Sequence, residues 1–160
     1  DLHSFPTRRS SDLHIAGRQI LTYQNRFRFE ADTSLSAAAR DSAVIEAMAG
    51  VDSAALTSPW LATFLSHDPV ATAKRVRVPV LILHGETDRQ VTAEQAPALA
   101  AAFKAGGNKD VTVKVFPNTN HLFVEDASGS PAGYTSLASS KVRPEVWAML
   151  VDWLILRLKP

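Results

Sequence analysis

The chain of 160 residues contains no cysteine. Disulfide scaffolds, zinc–thiolate sites and thiol nucleophiles built from these residues are therefore excluded. It also lacks any bias of charge: 17 basic and 16 acidic residues leave a net +1, which marks neither a nucleic-acid surface nor a polyanion partner. No apolar run approaches the roughly 20 residues that span a bilayer. The five histidines are scattered and no H-E-x-x-H occurs, so no metal set is visible. Neither G-x-G-x-x-G nor a P-loop appears, which removes the usual phosphate cradles. No cofactor is expected on these grounds. What remains, 46% hydrophobic and 21% charged residues, is ordinary globular composition.

Two grammars follow one another along the chain. Residues 14–77 read as helical and irregular. SLSAAARDSAVIEAMAG carries apolar residues at Leu35, Ala39, Val44, Ile45 and Met48, with Gly50 as a stop. Ser58 is placed to cap a second helix with Pro59 at its first position, and Trp60, Leu61, Phe64 and Leu65 form that helix's apolar face. Asp68-Pro69 opens a third helix that runs to about Lys74.

From residue 78 the pattern becomes strand, helix, strand. Val78 to Leu83 is a short continuous apolar run, expected as a strand buried on both faces. Thr92 is placed to cap a helix with Ala96, Leu99, Ala100 and Phe103 on its apolar side, ended by Gly106-Gly107-Asn108. Val111, Val113 and Val115 alternate with Thr112 and Lys114 as a second strand. Two strands joined this way should be parallel. A long polar loop is expected from Glu125 to Lys141, and Pro144 opens a last helix with Val146, Leu150, Trp153 and Leu154 in one stripe.

In an open parallel sheet, ligands bind beyond the carboxyl ends of the strands. Asp88 follows the first strand and His121 the second, so both should emerge on one edge. A carboxylate that accepts the Nδ1 proton of a histidine fixes the tautomer in which Nε2 can take a proton from a nucleophile. The nucleophile is absent: G-x-S-x-G, which sets a serine on a sharp strand-to-helix turn, occurs nowhere in the 160 residues. Glu86 is a competing acid, with a solvated loop carboxylate as its expected role. His84, at the strand end, is expected to pack or donate locally.

PVLILHGETDRQV followed by FPNTNHLF resembles the acid and histidine motifs of the α/β-hydrolase superfamily, whose triad runs Ser, then Asp or Glu, then His. Further detail is similar to bacterial esterases related to the serine aminopeptidases and to prolyl-oligopeptidase-like enzymes. It lies in Pro59-Trp60, Phe64-Leu65, Asp68-Pro69, Asp88-x-Gln90-Val91, Gly107-Asn108 and Asn120-His121-Leu122-Phe123. The resemblance covers residues 14–158. It implies the last parallel strands of an α/β-hydrolase fold over 78–160, preceded by a helical lid or cap over 14–77. Asp88 is then the triad acid and His121 the general base. Gln90 and Asn120 become supporting groups, and Trp60 and Phe64 the lining or core of the lid. Relatives often have glycine where this chain has Asn118, a residue that also tolerates a left-handed backbone.

Residues 1–13, DLHSFPTRRSSDL, resemble the in-frame translation of a sequencing adapter and are expected to be disordered; Arg8 and Arg9 are then no nucleic-acid signal and His3 is no ligand. The expectation is the acid-and-histidine part of a serine hydrolase that acts on a small-molecule ester or short peptide, its nucleophile half lying upstream. A peptidase of the same fold and a non-catalytic hydrolase-like binding module are the alternatives.

Overall fold

The structure, a computed structural model, describes residues 10–30, 32, 34–51 and 58–158. His3, Arg8 and Arg9 lie outside the described residues, while residues 10–13 of the adapter-like segment begin the first helix. The chain divides into two compact units, Asp1–Asp68 and Pro69–Pro160.

In the first unit, α1 (Ser10–Glu30) packs against α2 (Ala37–Ala49) and α3 (Pro59–Ser66). The helix ends follow the sequence signals. The Ser36 hydroxyl accepts the Ala39 amide at 3.2 Å, and Gly50 closes α2. Ser58 accepts the Leu61 amide at 3.3 Å, with Pro59 in the first turn of α3. Phe27, Val44, Met48 and Leu65 are buried, and Tyr23 meets Phe27 edge to face at 4.5 Å. Each such side chain contributes roughly 1.5–3 kcal/mol on burial. Trp60 and Phe64 depart from expectation as core residues of this helix: they are 72% and 60% exposed and stack on each other at 5.6 Å. The reason is rotation of the short helix, which points Leu65 inward and leaves the neighbouring i,i+4 stripe in solvent.

The second unit comprises α4 (Pro69–Ala73), β1 (Val80–Gly85), α5 (Gln95–Ala105), β2 (Val111–Phe116), a 3-10 turn (Pro131–Ser136) and α6 (Pro144–Arg157). β1 and β2 pair in parallel from Val80 opposite Val111 to Gly85 opposite Phe116. α5 packs on both strands and on α4, and α6 packs on β1. The apolar run of β1 is not buried on both faces as expected: Val80 to Leu83 are half-buried and only His84 and Gly85 are buried. Among the described residues β1 has one strand neighbour, which leaves part of each face open. Thr92 does not cap α5; the helix begins at Gln95, whose amide bonds the Thr92 carbonyl at 3.0 Å. The loop expected from Glu125 to Lys141 contains order of its own, a bridge from Thr119 to Glu125 and the 3-10 turn.

Among the described residues no helix is long and apolar enough to cross a membrane, and no cluster of side chains could hold a metal ion.

Candidate active site

The register decides where the site lies. Because Gly85 and Phe116 are partners, the two strands end side by side, and the segments that leave them share one edge of the sheet. They are joined at their base by Glu86 N–H to the Phe116 carbonyl at 2.9 Å and Thr87 N–H to the Thr119 carbonyl at 3.0 Å. This approach requires Gly85. A Cβ there would lie 2.6 Å from the Asn120 carbonyl oxygen and nearer still to that of Thr119.

Three residues beyond Gly85, the acid loop turns at Asp88. Its Oδ1 accepts the amides of Gln90 at 2.9 Å and Val91 at 3.0 Å, a local turn of the kind aspartate favours. Those bonds aim the other oxygen, Oδ2, at His121, whose Nδ1 lies 2.8 Å away. The Asp88 side chain is 4% exposed and that of His121 41%. The pair therefore consists of a buried acid and an imidazole open to solvent on its far side. His84 Nδ1 stands 3.8 Å from the same Oδ2, too far for a hydrogen bond, and faces the Gly85 carbonyl at 3.2 Å.

The histidine loop is organised by Asn120, which is fully buried. Its Oδ1 accepts the amides of Leu122 at 2.9 Å and Val124 at 3.2 Å, and its Nδ2 donates to Asp126 Oδ2 at 3.2 Å. Both sides of the amide are thereby satisfied in a place where an unpaired polar group costs about 1–3 kcal/mol. The tight loop takes Asn118 and Phe123 to positive φ, 48° and 57°. Asn118 thus adopts the left-handed turn that its residue type allows. Its amide donates to Glu86 Oε2 at 3.0 Å, so Glu86 fastens the turn rather than serving only as a solvated carboxylate.

Asp126 is a buried acid that no local sequence pattern marks. Its Oδ1 accepts from the Ser128 amide at 2.9 Å and hydroxyl at 2.7 Å, while its carbonyl accepts the Thr87 hydroxyl at 2.6 Å. Burial pushes its carboxyl up, but the bonds from Ser128, Asn120 and Gly129 outweigh that and hold it below the usual aspartate range. Gly129 turns beneath Thr87 at φ 62°, where a side chain would collide with the Thr87 carbonyl.

Tyr134 is likewise unmarked by any motif. Carried on the 3-10 turn, its hydroxyl accepts from Gln90 Nε2 at 3.0 Å. Burial raises the phenol above its ordinary value, and the carboxylates of Asp88 and Asp126 push the same way against the hydrogen bond from Gln90. The one sequence signal is an aromatic residue among the small breakers Gly129, Pro131 and Gly133.

Of the residues singled out from sequence, Asp88, Gln90, Asn120 and His121 are brought together at the carboxyl edge of β1 and β2. Trp60 and Phe64 belong to the helical unit.

Residues 39–155 match the model of the dienelactone hydrolase family. No curated protein and no solved structure gives a match. With nearly three quarters of its length inside that match, the chain belongs to the dienelactone hydrolase family and is a hydrolase of the α/β-hydrolase fold.

Proposed function

We propose that the chain supplies the acid, Asp88, and the general base, His121, of a hydrolase that cleaves carboxylic esters through a Ser-Asp-His triad. The observation that carries this reading is the 2.8 Å bond from Asp88 Oδ2 to His121 Nδ1, with the acid buried and the imidazole open. Asp88 holds Nδ1–H, which leaves Nε2 as the acceptor. A serine, contributed by sequence outside these 160 residues, loses its proton to Nε2 as its oxygen bonds the acyl carbon. The tetrahedral adduct collapses, His121 returns the proton to the departing alcohol, and an acyl-enzyme remains. Water then repeats the sequence on the acyl-enzyme, and the acid is released. The family's name favours an ester over a peptide, because a lactone is a cyclic ester.

The 160-residue chain alone should not hydrolyse esters by this route, since it carries no G-x-S-x-G. The test joins residues 14–160 to the nucleophile-bearing half of a related hydrolase and follows release of p-nitrophenol from short acyl esters. His121→Ala should lower kcat by about 10⁴-fold. Equal rates with and without the imidazole would sink the assignment. Faster cleavage of aminoacyl p-nitroanilides than of esters would move the substrate to the peptidase side.

A further inference from the structure

The base of the two loops is zipped by backbone bonds, but the acid loop turns outward beyond Asp88 and leaves that zipper. At this outer end the 3-10 turn delivers the Tyr134 ring, and Gln90 reaches its hydroxyl across 44 residues of sequence. The turn itself is held in place from behind. Asp126 anchors Ser128, the Ser128 hydroxyl accepts the Ser130 amide at 3.2 Å, and Gly129 lies against the Thr87 carbonyl. The phenol thus meets the acid loop through a side chain that follows Asp88 by two residues, and it is carried by the segment that Asp126 fastens to Asn120 of the histidine loop.

We infer that Tyr134 is a positioning residue, whose hydroxyl ties the acid loop through Gln90 to the 3-10 turn anchored on the loop bearing His121 and so holds the Asp88–His121 pair at bonding distance. The inference rests on the catalytic reading of that pair. Tyr134 needs no proton transfer for this role. With its proton retained, it acts as a fixed dipole that receives the Gln90 amide. The bond it protects is one whose length sets the tautomer of a half-exposed ring, and such a ring has little else to fix it.

The experiment follows the His121 Nδ1–H proton by NMR in the 160-residue chain, in Tyr134→Phe and in Gln90→Leu. Phenylalanine keeps the ring and removes the hydroxyl. Gln90 is exposed, so its replacement leaves packing untouched. Both variants should shift the resonance upfield and speed its exchange with solvent by about fivefold to tenfold, the loss of roughly one net hydrogen bond. The double variant should behave like either single one, because both cut the same tie. Amide resonances of β1 and β2 should stay where they are. An unchanged Nδ1–H signal in both variants overturns the role of Tyr134 alone. A general loss of stability with shifts throughout the unit overturns it too, in favour of packing. Absence of the signal from the unaltered chain overturns the Asp88–His121 reading, and the tie with it.

Discussion

The helical unit and the strand-and-loop unit are held together in different ways. The first relies on apolar side chains, Phe27, Val44, Met48 and Leu65, whose attraction is non-directional and tolerates exchange of one shape for another. The second buries Asp88, Asn108, Thr119, Asn120 and Asp126, and each of the five makes directional bonds to backbone. Directional bonds fix positions to a few tenths of an ångström, as a reacting group requires. The difference teaches that precision is concentrated in the unit to which the proposal assigns the chemistry, and that this unit should be the less forgiving of substitution.

The largest departure from tolerance is expected at Gly85. Gly85→Ala sets a methyl group against two carbonyls of the histidine loop and should cost about 5 kcal/mol or prevent folding of the second unit, read by urea denaturation. Asn120→Ala follows at about 3 kcal/mol, because the amides of Leu122 and Val124 lose their acceptor in a buried place. A loss below about 1 kcal/mol would show that the loop is held by backbone bonds alone.

Asp126 sharpens the comparison through pH. Its carboxyl is depressed in the folded state, so its stabilising share is complete above the ordinary aspartate value near 3.8 and is lost as pH falls through the lower folded value. Asp126→Asn should therefore weaken the chain near neutrality and narrow the difference in stability between about pH 6 and pH 3. An undiminished difference would place the acid sensitivity elsewhere. Smallest of all should be Met48→Leu in the helical unit, a volume-conserving exchange expected to cost less than about 1.5 kcal/mol. A cost as large as that of Asn120→Ala would break the contrast between the units.

Much of this is legible in the sequence because it is local. Strand, helix and strand follow from an apolar run, an alanine-rich periodic stretch and alternating valines, and the parallel pairing follows from their spacing. Asp88 and His121 are legible from their places after the strands, a consequence of chain direction in a parallel sheet. Tyr134 is not legible, since its partner Gln90 is 44 residues away and no periodicity reports a contact made between two loops. Asp126 escapes for the same reason, its value lying in bonds to Asn120 and Thr87 that exist only once both loops are folded. Trp60 and Phe64 are misread as core because a short amphipathic helix offers two adjacent i,i+4 stripes, and packing rather than pattern chooses which turns inward.

The catalytic proposal stands or falls on whether Asp88 holds His121 as a base with its Nε2 bare. The tautomer of the neutral ring, read from the ¹⁵N shifts of His121, tests it most directly. The expected result is a protonated Nδ1, hydrogen-bonded to Asp88, and an unprotonated Nε2. A neutral ring that carries its proton on Nε2 would contradict it.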